Sequence, residues 1–403
     1  MIKYFNLFID YIKSDIGWWP FAFAVIMGSK VLGGNIPMSD IASYAMLIIA
    51  SIICLRHGGD FDRLSTAFIL FIPVALVLAS PAPVFKSWSR YVLFAILYIA
   101  VSPLARNEYS RKFRLSVFKM TIIICIALSC ISFVCYFLGV NMMRSNYDGS
   151  ELNYMVNTAG TFGGITAHSM LLGPISGIAT IACSYLAMNQ DKRYWIFAVM
   201  CAGSMLFAAS RSSLLATLCG EMALFYFSTE SIGKNTKRIL TVGAILFLTY
   251  PVWNGAMAGV IAKNQGSMSS GINTSSRADK WSIRIEEWES SPIYGVGFCA
   301  VSEKDDVGSD GIIEPGSSWL AVLSMTGIMG FILFFSMFYR AVRNSLRHRT
   351  PYGALIGSVL ILLGVHMFAE GHVFSGGSYL CLCVWLGIGC ATDYEPDEID
   401  GEE

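Results

Sequence analysis

The sequence predicts an all-α membrane protein that crosses the bilayer about twelve times. Three observations predict this fold class. Hydrophobic residues make up 55% of the 403 residues, and charged residues make up only 14%. The apolar residues fall in separate runs whose lengths approach the roughly 20 residues that a helix needs to cross a bilayer core. One long polar segment, Asn264 to Pro315, interrupts these runs late in the chain.

The apolar runs give the predicted spans in chain order. The first begins near Trp18 and is followed by Gly33-Gly34-Asn35 and further apolar runs, rather than by the cleavage site of a signal peptide. Turn-forming and charged residues separate the other runs. The predicted spans cover roughly 17–33, 38–55, 65–80, 87–104, 115–139, 164–188, 194–210, 212–228, 239–262, 317–339, 352–370 and 373–391. They divide the chain into helices at 1–263, a polar loop at 264–315, helices at 316–391 and an acidic tail at 392–403.

The basic residues predict the orientation of the chain. With both termini inside, the short cytoplasmic loops hold most of the lysines and arginines, including Arg111, Lys112 and Arg114, as the positive-inside bias requires. The polar segment 264–315 then lies outside the cytoplasm. The acidic tail from Asp393 to Glu403 is predicted to be a solvated cytoplasmic end.

Composition and motifs exclude several classes of function. Ten of the eleven cysteines lie in apolar runs, where a thiol behaves as a small hydrophobe. Only Cys299 lies in the polar segment, so neither a disulfide framework nor a zinc site is predicted. The sequence has no phosphate-binding glycine loop, dinucleotide-binding motif, HExxH helix or basic nucleic-acid patch. We therefore expect no cofactor, no bound metal and no nucleic-acid partner.

The polar segment contains one predicted helix with cationic and aromatic side chains on one face. Ser275 and Ser276 form a helix cap, and Pro292 ends the helix. At about 100° per residue, one face carries Arg277, Lys280, Trp281, Arg284 and Trp288, and the opposite face carries Asp279, Glu286 and Glu289. Guanidinium groups bind phosphate oxygens, and tryptophans settle at headgroup depth or stack on sugar rings. The alternative is an interfacial helix whose arginines contact lipid headgroups.

Several short motifs surround this helix in a definite order. Ser210-Arg211-Ser212 interrupts the apolar run between the seventh and eighth predicted spans, at the outer side. In chain order the segments read AASRSSLLATL, SSRADKWSIRIEEWESSPIYGVGF, PGSSWLAVL and SMTGIMG. This order resembles the O-antigen ligase and polymerase superfamily of bacterial inner membranes. Weaker likenesses to the same superfamily lie at Gly160-Thr161-Phe162 and from Glu370 to Ser375.

The chain departs from the superfamily pattern in two places. Ligases of the superfamily carry a histidine at the start of the span after the loop, where this chain has Gly316-Ser317-Ser318. The SSWL form and the segment at Glu370 are more similar to polymerases, so the resemblance favours a polymerase over a ligase. An arginine that precedes the Gly-Thr-Phe segment in the family is Asn157 here, and Arg144 in the same loop is the candidate substitute.

The resemblance implies a glycosyltransferase of GT-C-like architecture, with one large periplasmic loop and its active site on the periplasmic face of the inner membrane. The implied reaction moves a growing glycan from undecaprenyl pyrophosphate to a sugar hydroxyl of another lipid-linked unit, without metal and with inversion. It needs cationic groups for the departing pyrophosphate and a base for the acceptor proton. Undecaprenyl-pyrophosphate-linked glycans and membrane lipids are the expected partners, and a polysaccharide chain-length regulator is a candidate partner.

Candidate site residues follow from this chemistry and from their predicted outer location. We assign the pyrophosphate to Arg211, Arg277 and Arg284, with Lys280 in support, and the role of base to Glu370. Each assignment has a simpler alternative, because Arg211 can anchor the chain to lipid headgroups and Glu370 can be a solvated span end. The other candidates for substrate contact are Trp281, His168, Ser317, Ser318 and His372.

Three rival functions stay open on the sequence alone. A flippase or other transporter suits twelve spans with both termini inside, but transporters usually carry internal repeats, and the sequence shows none. A ligase that moves glycan to lipid A core or to protein is disfavoured by the missing histidine. A non-enzymatic scaffold in polysaccharide assembly is the third rival. The predicted clustering of arginines at one outer level argues mildly against it.

Overall fold

The computed structural model describes residues 17–33, 40–142, 162–228, 233, 276–301 and 316–396. The all-α class is confirmed over these ranges, where the only ladder pairs Asp60–Phe61 (β1) with Ala105–Arg106 (β2). The helices are α1 Trp19–Ser29, α2 Asp40–Arg56, α3 Arg63–Ala79, α4 Ser87–Val101, α5 Glu108–Phe137, α6 Ser169–Asn189, α7 Tyr194–Phe207, α8 Arg211–Phe227, α9 Ser276–Ser290, α10 Ser318–Arg347, α11 Pro351–His366 and α12 Tyr379–Thr392. A short 3₁₀ turn at Pro83–Phe85 precedes α4.

The helices alternate in direction, which gives the bundle two ends. α6 and α8 run parallel, because a Cβ added to Gly173 would overlap Ser213, and one added a turn later to Gly177 would overlap Thr217. α7 connects them in the opposite direction, and α11 packs along both. We call the end at which α6, α8 and α10 begin the loop end, and the end at which α12 finishes the tail end.

Three helices form the centre of the bundle. Every residue of α12 is buried, and α6 and α11 are almost as enclosed. Trp385 of α12 packs edge-on against Phe94 and Tyr98 of α4, with ring centroids 5.5 and 4.8 Å away. The outer helices instead expose apolar side chains such as Ile52 and Leu70. Apolar side chains on the outside of a well-packed helical bundle are typical of a surface that faces lipid.

The structure supports a membrane protein but does not confirm twelve spans. Among the described residues, four segments are long and apolar enough to cross a membrane, namely Pro83–Val101, α5, α6 and α10. Five further apolar helices, α1, α3, α7, α11 and α12, have at most 17 residues. At about 1.5 Å per residue, 17 residues span roughly 25 Å of a hydrocarbon core that is about 30 Å thick. The ninth predicted span, 239–262, lies outside the described residues.

The helical backbone of α10 is interrupted at Gly327, and the segment after α9 hydrogen-bonds to the backbone groups that the interruption leaves free. Gly327 has φ +64° and ψ −173°, which are not helical values. The break frees backbone groups of α10, and the segment after α9 pairs with them. Val296 N donates to Ser324 O at 2.9 Å, and Ile328 N donates to Pro292 O at 2.8 Å. The PIYGVGF and SMTGIMG motifs, which lie about thirty residues apart, thus form one backbone joint.

The loop that makes this joint enters the bundle. We call residues 291–301 the joint loop. Its Phe298 is 0% exposed and packs against Phe94 and Phe374, with ring centroids 5.3 and 4.8 Å away. This part of the polar segment 264–315 therefore packs inside the bundle. Its apolar side chains gain from burial, and its glycines allow close backbone approach.

Replacing Gly327 with alanine is expected to destabilise the protein by about 1–3 kcal/mol, because a residue with a Cβ is strained at this positive φ. The added Cβ would also overlap the carbonyl group of Ile293. Gly139 is a matched control, since it has φ +69° but nothing within 4 Å of an added Cβ. Thermal unfolding of the purified variants in detergent measures the difference. Equal melting temperatures for the two alanine variants would contradict the role of the joint.

The start of the acidic tail is packed against the bundle. Asp393 forms an ion pair with Arg114 of α5, and both side chains are buried. Arg114 Nη1 and Nη2 also donate to Ser102 O at 3.0 Å and to Ala105 O at 3.1 Å. The prediction of a solvated tail is therefore wrong at its first residue, because a buried arginine needs its counter-charge there. Residues 397–403 lie outside the described part of the chain.

Candidate functional site

Helix α9 lies at the loop end and turns its predicted cationic face toward the bundle. Arg284 is 1% exposed, whereas Asp279 and Glu289 on the opposite face are exposed. The structure adds an acid to the inward face, because Glu287 is equally buried and its Oε2 accepts a hydrogen bond from Arg284 Nη1 at 2.8 Å. This pair corrects the prediction of a purely cationic and aromatic face. Arg284 is a paired, buried cation whose orientation is fixed by its partner.

The first turns of α9 pack on the residue that precedes α10. Trp281 Nε1 donates to Gly316 O at 3.3 Å. Gly316 has φ +68°, and an added Cβ would lie 2.9 Å from Lys280 Cβ, so glycine permits this contact. Lys280 and Trp281 are predicted from the sequence to contact substrate. In the structure they also hold α9 on the residue that precedes α10. Arg277 lies in the first turn of the same helix, and its side chain is outside the described part of the structure.

Ser317 and Ser318 bind the connection between α11 and α12, residues 367–378. Ser317 Oγ donates to a backbone oxygen of this connection at 3.2 Å. Ser318 Oγ donates to Glu370 O at 2.7 Å and accepts a hydrogen bond from His372 N at 2.9 Å. Both serines are buried, and a hydroxyl has only one donor. The serine hydroxyls thus hold the connection in place, a role that is additional to the predicted contact with substrate.

The remaining candidates lie at the loop end on three different elements. Arg211 is the exposed first residue of α8. His168 caps α6, because its Nδ1 accepts a hydrogen bond from Met170 N at 3.0 Å. This capping role is additional to the predicted contact with substrate. Glu370 lies in the connection after α11 with a half-buried side chain. The structure therefore brings these three residues to the end of the bundle at which α9 is docked.

A cavity of about 520 Å³ lies at the loop end beside this connection. Its lining includes Tyr44 of α2, Arg90 of α4, Cys299 of the joint loop, and His372. Burial raises the pKa of the Cys299 thiol to about 12, although the guanidinium groups of Arg90 and Arg284 lower that pKa. The cavity and α9 lie at the same end of the bundle.

His372 is a buried polar side chain in the lining of this cavity. It is 5% exposed, and neither ring nitrogen has a hydrogen-bond partner. Its ring centroid lies 5.5 Å from that of His366. Burial lowers the pKa of His372 to about 4, so the imidazole is neutral at neutral pH, with one donor and one acceptor. Such a group is costly to bury unless something binds it.

Sequence comparison links this end of the bundle to a known family. Residues 196–335 match the family model described as O-antigen ligase. This match supports a relation of the chain to the O-antigen ligase and polymerase superfamily and does not separate ligase from polymerase. The matched region, about a third of the chain, runs from α7 into α10 and contains Arg211, Arg277 and Arg284. The comparison with curated proteins gives no match. The superfamily indicates a glycosyltransferase-like activity on polysaccharides.

The prediction from sequence did not include two residues that the structure places at the loop end. Glu287 stands three positions after Arg284, which is the spacing of neighbours on a helix surface, so this pair had an available signal. Arg90 lies near the outer end of a predicted span, where an arginine is typical of a contact with lipid headgroups. Only the tertiary fold shows that Arg90 lines the cavity beside the superfamily loop.

We expect acidification to destabilise the protein, in part because His372 becomes protonated in the unfolded chain. Its pKa in the folded protein is about 4, whereas an unfolded histidine has a pKa of about 6.5. Between these values the unfolded chain binds a proton that the folded chain excludes. Stability is therefore complete above about pH 6.5 and falls as the pH falls toward 4. Melting temperatures at about pH 7 and about pH 5 should fall less in His372→Gln than in wild type. An equal fall would contradict the prediction.

Proposed function

We propose that this protein is a polysaccharide polymerase that joins undecaprenyl-pyrophosphate-linked repeat units at the periplasmic face of the bacterial inner membrane. A sugar hydroxyl of one unit attacks the anomeric carbon of the glycan carried by another unit. The bond from that carbon to the pyrophosphate oxygen breaks, and a glycosidic bond forms with inversion. Undecaprenyl pyrophosphate leaves, and the hydroxyl proton passes to a base.

The placement of α9 carries this proposal. A helix with many polar residues is fixed on the loop end with Arg284 facing inward beside a cavity, inside the region that matches the O-antigen ligase family. Cationic donors at this place can stabilise the charge that develops on a departing pyrophosphate. We assign this role to Arg284, Arg277 and Arg211, with Lys280 in support. The bond to Glu287 uses one of the five N–H donors of the Arg284 guanidinium.

The proposed activity can be tested with purified components. The full chain is incubated with an undecaprenyl-pyrophosphate-linked repeat unit in the presence of a chelator and without nucleotide, and the glycans are resolved on a gel. We expect a ladder of oligomers that is lost in Arg277→Ala. Arg193→Ala is the control, because this arginine is 88% exposed at the tail end. Substrate that stays unextended by folded wild-type protein would refute a polymerase.

Glu370 is the proposed base. Its backbone oxygen accepts hydrogen bonds from Ser318 N at 3.0 Å and Ser318 Oγ at 2.7 Å, which anchors the residue at the loop end. Glu370→Gln keeps the shape of the side chain but removes the proton acceptor. We expect the initial rate of extension to fall by on the order of a hundredfold or more. Glu286→Gln, on the exposed face of α9, is the control. Full activity of Glu370→Gln would eliminate this residue as the base.

A ligase is the second candidate, because the matching family model is described as O-antigen ligase. A ligase would move the glycan to lipid A core or to a protein instead of to another lipid-linked unit. The two activities are separated by supplying lipid A core together with the lipid-linked repeat unit. A ladder on the carrier lipid supports the polymerase, whereas a single transfer to lipid A core supports the ligase.

A further inference from the structure

We propose that the cavity beside His372 is a sugar-binding subsite in which the imidazole hydrogen-bonds a hydroxyl of the glycan. The identity of that glycan, a carrier-linked repeat unit, rests on the function proposed above. The subsite gives His372 a defined partner. It also brings into the site Tyr44 and Arg90, which no sequence motif marks.

The cavity lining combines the two kinds of surface that a pyranose ring requires. Leu93, Met325 and Phe374 contribute apolar surface, against which the C–H faces of a sugar can pack. His372 and Arg90 contribute polar groups that can meet its hydroxyls. The volume of about 520 Å³ lies within the range of roughly 300–1,000 Å³ that is typical of small-ligand pockets.

The unsatisfied imidazole is the observation that points to a ligand. Both ring nitrogens of His372 lack a partner, although the side chain is 95% buried and the backbone is fixed by the Ser318 hydroxyl at 2.9 Å. Buried polar groups are rarely left unpaired, because the unpaired state costs free energy. A neutral imidazole offers one donor and one acceptor, and a sugar hydroxyl also offers both. Two hydroxyls of a bound sugar therefore satisfy the ring, one at each nitrogen.

Two other occupants match the cavity less well. A polyprenyl chain would fill the apolar part but would leave the ring nitrogens of His372 unpaired. A phosphate group would gain a charge-assisted bond from Arg90, but its remaining oxygens would face a neutral imidazole that has a single donor. A hydroxylated ring satisfies both kinds of group.

The position of the cavity indicates which sugar it holds. Cys299 of the joint loop lines the cavity, and the joint loop directly follows α9, the helix that carries Arg284. The subsite therefore lies at the same end of the bundle as the proposed position of the pyrophosphate. We infer that it takes the sugar residue nearest to the pyrophosphate of the carrier-linked glycan.

Substitutions at two positions test the subsite independently. His372→Phe removes both ring nitrogens and keeps an aromatic ring, and His372→Gln keeps a donor and an acceptor. Gly377→Leu places a side chain into the cavity, and its Cβ would make only ordinary contacts with Tyr44 and Lys30, at 3.6 and 3.7 Å. His348→Phe is the matched control, because His348 is exposed at the tail end.

Binding is measured on the full chain in lipid nanodiscs, with the carrier-free oligosaccharide repeat unit as the probe. This measurement does not require catalysis. We expect the dissociation constant to rise about tenfold in His372→Phe and in Gly377→Leu, and by less in His372→Gln. The control should bind as wild type does. Thermal unfolding of each variant shows whether it is folded.

The proposal is overturned if both His372→Phe and Gly377→Leu, folded as wild type, bind the probe within about twofold of wild type. It is also overturned if wild type does not bind the probe, or if undecaprenol alone displaces it fully. A ladder with unchanged probe affinity in both variants would overturn the subsite and leave the polymerase standing. Probe binding that both variants lose, in a protein that makes no ladder, would support the subsite and refute the polymerase.

Discussion

Replacing Arg284 with alanine is expected to reduce chain extension by on the order of a thousandfold. Two losses act together. Under the proposed function, the departing pyrophosphate would lose a guanidinium donor that is held in place before the reaction. Glu287, which is 0% exposed and lies 2.8 Å from Arg284, would also lose this guanidinium as a counter-charge. The loss of a buried ion-pair partner should also make the variant less stable. The rate of ladder formation and the melting temperature measure the two effects.

A double variant separates catalysis from stability. Arg284→Ala combined with Glu287→Ala leaves no buried unpaired charge, so stability should recover while extension stays lost. Arg211→Ala is a second comparison, because Arg211 is exposed on α8. It should reduce extension about a hundredfold without a change in melting temperature. Wild-type ladders from the alanine variants of Arg211, Arg277 and Arg284 would refute the assignment of these arginines to the pyrophosphate.

Replacing Arg114 with alanine is expected to destabilise the protein by about 3–5 kcal/mol. Arg114 is fully buried at the tail end and holds three partners together: the Asp393 carboxylate and the backbone oxygens of Ser102 and Ala105. Its removal leaves two carbonyl groups without their donor and takes from Asp393 its buried counter-charge, while Arg106 Nε stays 3.9 Å from Asp393 Oδ1. Because the site lies at the other end of the bundle, extension per folded molecule should be unchanged. Unfolding of the purified variant in detergent measures the loss.

Arg111 provides the matched control for Arg114. It also lies on α5 and also pairs with the tail, because its Nη1 is 3.0 Å from Glu395 Oε2. Its pair is exposed, with 28% and 64% of the two side chains accessible, so Arg111→Ala should cost less than about 1 kcal/mol. Equal destabilisation by the two substitutions would show that the burial of Arg114 contributes nothing.

Local signals predicted most of the helices. Eleven of the twelve predicted spans coincide with helices in the described part of the chain, because their apolar runs end at glycine, proline or charged residues. The helix predicted from the serine cap to Pro292 is α9, Ser276–Ser290. These features depend only on neighbours in sequence. Which face of α9 meets the bundle was not predicted, and the buried pair of Arg284 and Glu287 shows it.

Features that depend on distant residues were not predicted. Asp393 and Arg114 are 279 positions apart, and no local pattern connects an acidic tail with a buried arginine. The hydroxyl of Ser318 meets the connection after α11 across more than fifty residues, so its structural role could not be distinguished from substrate contact. The unpaired ring of His372 is a property of packing alone. The sequence therefore predicted the outer location of the candidate residues but did not separate their structural roles from substrate contact.

The joint loop is held on α10 by hydrogen bonds between main-chain atoms, so this contact tolerates changes of side chain during evolution. The amide of Val296 and the carbonyl of Pro292 hold α9 against the bundle whatever side chains they carry. Gly295 and Gly327, whose added Cβ atoms would overlap the opposite backbone, are the positions that cannot change. Mutations that reshape the cavity lining therefore leave the position of α9 intact. Under the proposed function, substitutions in the cavity lining can change the sugar specificity of the protein without displacing the helix that binds the pyrophosphate.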